Sequence, residues 1–329
     1  MVAVDQDCEG IAENWDWVHV PALGASPVAH SPALRACIGS TSVPGYRRNL
    51  GHLKDFWAPK APSFFDSVDL AFLCYVDFVL ELSHDEGRLY RSRVETAFYA
   101  LLFAYPGLRG HMPVAAHAIQ GYVRLRPGLQ REPLPWGVVG VCAALDDSAG
   151  GQLGLIALLS FDCCLRISEW QGLSIDAIAD DGQDLAVIIG KSKSGPGGVV
   201  VHSKIVRDRL RLHLRQRRAG GHDQVFDVTG DEFAGWLRPK LTELGVPRDL
   251  CLPHCLRHGG ATCFVHVHGW ALAKVQLRGR WLCMSSLRRY SKPHVLVEVW
   301  ARLPENTRFW GRLFEHFPDK TLSRGAAGP

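Results

Sequence analysis

The chain has 329 residues, 47% of them hydrophobic and 21% charged. That length suits two ordinary domains with buried cores, and the charge content excludes a chain disordered throughout. The formal net charge of +4 hides an asymmetry: residues 1–185 hold 13 basic and 22 acidic side chains, net −9, while residues 186–329 hold 24 and 11, net +13. A basic half suits a polyanionic partner, although a soluble protein also acquires such an imbalance by chance.

The opening MVAVDQDCEG has neither a basic n-region nor a long apolar stretch, so a secretory leader is not expected. No run approaches the ~18 apolar residues of a membrane span. The ten cysteines are therefore expected as thiols in a reducing compartment, several of them acting as small hydrophobes, as in FDCCLRI.

Residues 1–55 are rich in Gly, Ser, Pro and His and read as a loosely ordered arm with at most one short helix. Helical spacing of apolar residues predicts helices over 64–83 and 88–104, with a third over 113–123. LRPGLQREPLP, residues 125–135, reads as an interdomain linker. Buried helices are expected over 136–146 and 151–162. The apolar runs 185–190 and 199–202 flank KSKSGPGG and predict a β-hairpin. A strongly basic amphipathic helix follows over 203–218, with Ile205, Leu210, Leu212 and Leu214 assigned to the core. Another helix spans 229–244, with Thr229 as its N-cap. Helices are expected over 254–268 and 270–279, then a short one over 285–290. The Gly/Ala-rich tail 319–329 is expected to fray.

Three segments carry candidate chemistry. In LRISEW, Arg166 follows an apolar helix, and a guanidinium there needs an anionic partner; a structural ion pair with Asp162 or Glu169 satisfies that need equally well. In LPHCLRHGGAT, His254 and Arg257 share one face of a first helical turn, where free N–H groups favour a phosphate. Gly259 and Gly260 are expected to allow close backbone approach there. In RGRWLCMSSLRRYSK, Tyr290 sits among Arg288, Arg289 and Lys292, cations that favour a phenolate. Either of the last two segments also fits an ordinary capped helix or a surface tyrosine. Cys251, His254, Cys255 and His258 invite a zinc reading, but no second Cys-x-x-Cys follows at finger spacing, and side chains of one helix do not converge as a tetrahedron.

Taken in order, these segments resemble the boxes of the tyrosine recombinases and phage-type integrases. LRISEW is similar to the family's Arg-x-Ser-Glu box, HCLRHGGAT to its His-x-Leu-Arg-His box, and GRW with Tyr290 nine residues beyond Trp281 to its Gly-His … Tyr box. Trp281 stands where most members have histidine. KSKSGPGG resembles the lysine turn; alignment on SKS favours Lys193, and alignment on IIGK favours Lys191. The resemblance spans roughly residues 60–295 and is strong from Arg166 to Tyr290.

It implies a mainly α fold with a small β-hairpin or sheet, arranged as a two-domain DNA clamp. Residues 56–130 are expected to form the helical DNA-binding domain and 131–318 the catalytic domain. It also implies a site-specific recombinase with Tyr290 as nucleophile and Arg166 and Arg257 forking onto the phosphate oxygens. Lys193 or Lys191 then serves as general acid, His254 takes the tyrosine proton or holds the phosphate, and Trp281 positions. Lys204, Arg207, Arg211, Arg288 and Arg289 are expected to contact duplex DNA. No cofactor or metal is implied. The partner is double-stranded DNA, with a homo-tetramer assembling on it from free monomers or dimers, in the nucleus of a eukaryote or otherwise in the cytoplasm or nucleoid, and not secreted. Three rivals remain: a non-catalytic DNA-binding descendant, a type IB topoisomerase-like enzyme, and a zinc-stabilised module.

Overall fold

A computed structural model describes residues 42–59, 67–86, 90–126, 132–146, 151–190, 197–284, 287 and 293–324, together with two short strands, β1 (His19–Val20) and β2 (Gly24–Ala25). Contacts divide the chain into two compact units, Met1–Leu129 and Gln130–Pro329. Within the described residues the architecture is mainly helical, with a small antiparallel sheet.

The first unit is built from α1 (Val43–Trp57), α2 (Val68–Asp85), α3 (Arg91–Ala104) and α4 (Pro113–Leu125). Its core gathers Leu50, Leu53 and Trp57 of α1 with Phe72, Tyr75, Val79, Val94, Leu101 and Tyr122. Residues 43–55 fall in the stretch read from sequence as a loose arm with at most one short helix; a 15-residue helix forms there and runs on to Trp57. Apolar residues at 50, 53 and 57 supply the i, i+3, i+7 stripe that buries it. Asp69 accepts hydrogen bonds from the Val114 and Ala115 N–H groups at 3.1 and 2.7 Å. It thereby caps α4, whose own N-cap Met112 has no suitable side chain.

The second unit packs α5 (Trp136–Ala144), α6 (Gln152–Asp162), α8 (Lys204–Ala219), α9 (Gly230–Glu243) and α10 (Pro253–His266) around one core. Between them run the single-turn α7 (Ile167–Trp170) and the sheet β3 (Ile178–Asp180), β4 (Leu185–Ile189) and β5 (Gly197–Val200), paired in that order. The hairpin read from sequence is present, with Ala186 opposite Val200 and Ile189 opposite Gly197. Strand β3 was not foreseen; three residues with only Ile178 buried give no readable alternation. Thr229 caps α9 as expected: its Oγ1 accepts from the Glu232 N–H at 3.2 Å, and Glu232 returns a bond to the Thr229 N–H at 2.8 Å.

Past α11 (Leu272–Gly279) come α12 (Pro293–Arg302), α13 (Glu305–His316) and α14 (Pro318–Arg324). The last corrects the expectation of a frayed tail from residue 319, because Thr321 and Leu322 are buried. Leu212 also departs from expectation: it is 51% exposed, since α8 turns Leu210, His213 and Leu214 inward instead.

Glycine sets how closely helices cross. A Cβ on Gly260 would lie 2.0 Å from the Phe161 carbonyl oxygen, and one on Gly259 2.2 Å from that of Leu134. These glycines seat α10 on α6 and on the strand-like entry to α5. The close backbone approach expected of them is therefore to protein, because their Cα atoms face neighbouring backbone. Gly260→Ala must push α10 off α6, and we expect a loss of about 2–3 kcal/mol. For a unit of this size that is a fall in melting temperature of roughly 5–10 °C, measurable by circular dichroism.

Candidate active site

Arg166 stands at the N-cap of α7, one residue beyond the apolar run that ends α6. Its side chain meets Glu169, one turn later, at 2.6 Å, and the Glu169 carboxylate also accepts from the Arg166 backbone N–H at 2.8 Å. Thus the local ion pair that the sequence allowed does form. Yet Glu169 is not a private partner. Arg280 donates to it through Nη2 at 2.8 Å and Nε at 3.5 Å, and Arg257 Nη1 lies at 3.8 Å. One carboxylate, itself 4% exposed, thus gathers three guanidiniums from positions far apart in sequence.

Arg257 is 1% exposed. It donates to the carbonyl oxygens of Cys164 and Gly279, and the Trp281 ring stacks on its guanidinium at 4.2 Å. Burial, reinforced by the neighbouring charge of Arg166, pulls its pKa down to about 10, so it stays protonated at neutral pH. Arg166 differs: a quarter of its side chain is open to solvent. Burial works against ionisation of Glu169, but the hydrogen bond and charge of Arg280, with those of Arg166, outweigh it and hold the carboxyl below the usual range.

The neighbouring residues repeat this pattern. Arg278 donates to the Asp162 and Val200 carbonyls at 2.9 and 2.8 Å and faces the Asp162 carboxylate at 3.5 Å. Asp162 in turn accepts from the His202 and Ser203 N–H groups at 2.7 and 3.3 Å. Burial pushes the Asp162 carboxyl up, against the pull of Arg278 and those N–H groups. The hairpin strand β5 is thereby rooted in the arginine cluster at its C-terminal end. Among the described residues, two non-glycine residues take positive φ: Cys164 at 48° and Arg280 at 56°. Both border Arg257. Strain of this kind persists only where surrounding contacts over-determine it, and it concentrates at functional sites.

His254 lies in the first turn of α10, half-buried, its ring 4.7 Å from that of the buried His258. Lys191 and Lys193 in the hairpin turn, and Arg288, Arg289 and Tyr290 with the helix expected over 285–290, lie outside the described residues. The three basic residues assigned to DNA on α8 are engaged within the protein. Lys204 pairs with Asp208 at 2.6 Å, Arg207 donates to the Val201 and His202 carbonyls at 2.9 Å, and Arg211 grips Asp180 through Nη2 at 2.8 Å and Nε at 3.0 Å. Among the described residues no group of three or more His, Cys, Asp or Glu is placed to hold a metal ion. The Cys251 thiol faces the Val246 and Pro247 carbonyls at 3.5 and 3.4 Å.

No family model and no curated protein matches the sequence. Solved structures do. A XerH site-specific recombinase bound to difH substrate, in its pre-cleavage complex, has a TM-score of 0.59 at 14% identity over 91% of this chain and 90% of that one. The fold is that of the tyrosine recombinases. The Tn1549 transposon integrase in complex with transposon right-end DNA gives 0.60 at 13% identity, covering 80% and 91%. A lambda integrase dimer bound to a COC′ core site gives 0.56 at 11%, covering 79% and 93%. Within this fold, Arg166 and Arg257 meet at Glu169 and Trp281 stacks on Arg257, while His254 lies three residues before Arg257 on α10 with its ring against His258. Sequence reading missed Arg280 and Arg278 and gave Glu169 only a local role. The signal was present: LRGRW carries two arginines beside apolar residues, and a buried arginine demands a buried acceptor.

Glu169→Gln keeps the shape but leaves three guanidiniums facing a neutral amide. We expect a loss of about 3–5 kcal/mol at pH 7. Because the folded-state pKa of Glu169 is depressed, its contribution is present above its ordinary value of 4.5 and is lost as pH falls below that. The wild type should therefore lose stability from pH 4.5 downward more steeply than Glu169→Gln, as followed by thermal melts across pH 3–7.

Proposed function

We propose that the protein breaks and rejoins duplex DNA by transesterification, as a site-specific recombinase. One observation carries the reading. Arg166, Arg257 and Arg280 converge on one buried carboxylate, Glu169, and Arg278 faces a second, Asp162, within one cluster. Guanidiniums gathered and largely buried in this way favour an anion that joins them. A phosphodiester is such an anion, and its pentacoordinate transition state, with more charge on the non-bridging oxygens, is favoured further.

In the proposed reaction the Tyr290 oxygen attacks phosphorus and forms a P–O bond. The bond from phosphorus to the 5′-oxygen breaks, leaving a 3′-phosphotyrosine and a 5′-hydroxyl. The phenolic proton passes to His254 or to water, and Lys193 or Lys191 on the hairpin turn delivers a proton to the departing oxygen. Arg166, which opens to solvent, forks onto the phosphate. Arg257, buried with its fork on the Cys164 and Gly279 carbonyls, adds a fixed positive charge beside that phosphate. Trp281 acts by holding the Arg257 plane. Attack by a 5′-hydroxyl reverses the step, so the phosphotyrosine conserves the bond energy.

Both units bind DNA in this reading, and four copies assemble on paired sites in whichever compartment holds the DNA. Lys204, Arg207 and Arg211 contact the backbone by exchanging their internal partners for phosphates. Arg288 and Arg289 flank the nucleophile. The likeness of the fold to recombinases solved in complexes with DNA supports this partner.

The test is a denaturing gel of purified protein with a diverse pool of nicked, labelled duplexes. A covalent band is expected, absent in Tyr290→Phe and formed roughly 10²–10³ times more slowly in Arg166→Ala. A band that survives Tyr290→Phe removes the nucleophile assignment. Salt-sensitive binding with no band, tested on duplexes carrying the recovered target site, favours the non-catalytic DNA-binding descendant.

A further inference from the structure

We propose that Arg280 is a positioning residue for the proposed strand transfer, one that acts on the phosphate through Glu169 and Arg166. This deepens the reading above and rests on it.

Three observations carry it. First, Arg280 occupies the C-cap of α11 in the left-handed region, at φ 56 and ψ 45. An L-residue with a long side chain pays for that conformation, and glycine would not. Second, the side chain is 9% exposed and fully engaged at its fork. Nη1 donates to the Arg278 carbonyl at 2.7 Å, Nη2 to the Cys164 carbonyl at 3.1 Å and to Glu169 at 2.8 Å. Third, Glu169 is the group that orients Arg166, the arginine of the pair that opens to solvent.

These contacts divide the labour. Glu169 is faced by Arg166 from its own turn, by Arg257 from α10 and by Arg280 from the end of α11. Arg280 makes its shorter bond to Oε2 of the carboxylate, whereas the Arg166 guanidinium bonds Oε1. Without it, Glu169 would have only Arg166 within 3 Å and could follow that side chain's rotamers. With it, the carboxylate is pinned between two cations and the Arg166 fork has one direction. The same C-cap carries the chain from Gly279, whose carbonyl takes Arg257, to Trp281, whose ring covers Arg257. A lysine in place of Arg280 retains the charge but has no planar fork to meet the Arg278 carbonyl through one nitrogen and Cys164 with Glu169 through the other.

A residue acting through another shows itself in a double-mutant cycle. The rate of covalent adduct formation on a nicked duplex and the dissociation constant for that duplex are measured for the full chain in wild type, Arg280→Gln, Arg166→Ala and the double variant. Arg280→Gln is expected to slow adduct formation at least about tenfold while DNA affinity changes less than about threefold. In the Arg166→Ala background the Arg280 substitution should cost almost nothing further. Independent, multiplying losses, or a rate within about threefold of wild type, overturn the proposal. Should Arg280→Gln fail to fold, Arg280→Lys retains a cation for Glu169 and is expected to lose rate without losing affinity; a fully active Lys variant overturns the fork argument.

Failure of the function itself reads differently. If wild type forms no adduct, the same cycle is run on the rise in melting temperature caused by inorganic phosphate. A rise in wild type that is lost in Arg280→Gln and in Arg166→Ala supports Arg280 as organiser of an anion site while removing the strand-transfer reading. An equal rise in all variants, or none in wild type, overturns both.

Discussion

The second unit turns on one buried carboxylate. Glu169 could not sit 4% exposed without cations around it, and Arg257 and Arg280 could not be buried so close together without an anion between them. Each condition is local electrostatics, but satisfying both requires α7, α10 and the end of α11 to arrive at the same point. The carboxylate therefore ties together segments more than a hundred residues apart. Removing the charge would leave like charges facing each other in a region of low polarity, where their repulsion is screened least.

Packing decides where those charges land. Gly259 and Gly260 let α10 rest on backbone atoms of Leu134 and Phe161, and Arg257 lies two residues before the first of them on the same helix. A shift of α10 by the width of one methyl group would draw the Arg257 fork from the Cys164 and Gly279 carbonyls. Close-packed interiors transmit such displacements instead of absorbing them. The left-handed residues border this fork: Cys164 offers its own carbonyl to it, and Arg280 directly follows Gly279, whose carbonyl takes the other end. Strain and close packing thus serve one geometric end.

What the sequence disclosed follows the range of the interactions. The β4–β5 hairpin and the Thr229 capping box depend on residues a few positions apart, and both were readable. The Arg166–Glu169 pair was readable as one of two local options. The bonds from Glu169 to Arg257 and Arg280 were not, because nothing in LRISEW encodes which distant arginine returns to it. Arg280 hid for a second reason: it stands between Gly279 and Trp281, which drew the motif reading to themselves. Helix α13 was readable and was not read: its apolar and polar residues segregate strongly at helical spacing, with Thr307, Gly311 and Phe314 on the buried face and Gly311 touching α5 through backbone. Leu212 was misplaced because four leucine or isoleucine positions on α8 cannot all face one 100° stripe.

The exposure of the two motif arginines bears on how such a cluster serves catalysis. Arg257 is fixed by carbonyls and an aromatic face, so its charge is present before any ligand arrives and needs no reorganisation. Arg166 keeps one end on Glu169 and the other toward solvent, so it can meet an incoming oxyanion without breaking its anchor. A cluster that bound a phosphodiester through fully formed contacts would favour ground and transition states alike and gain no rate. Positive charge held at fixed positions favours whichever state carries more negative charge on its oxygens. In the proposed transesterification that state is the pentacoordinate one, so guanidiniums fixed around Glu169 become the source of discrimination between states, while the fold bears the cost of holding them together.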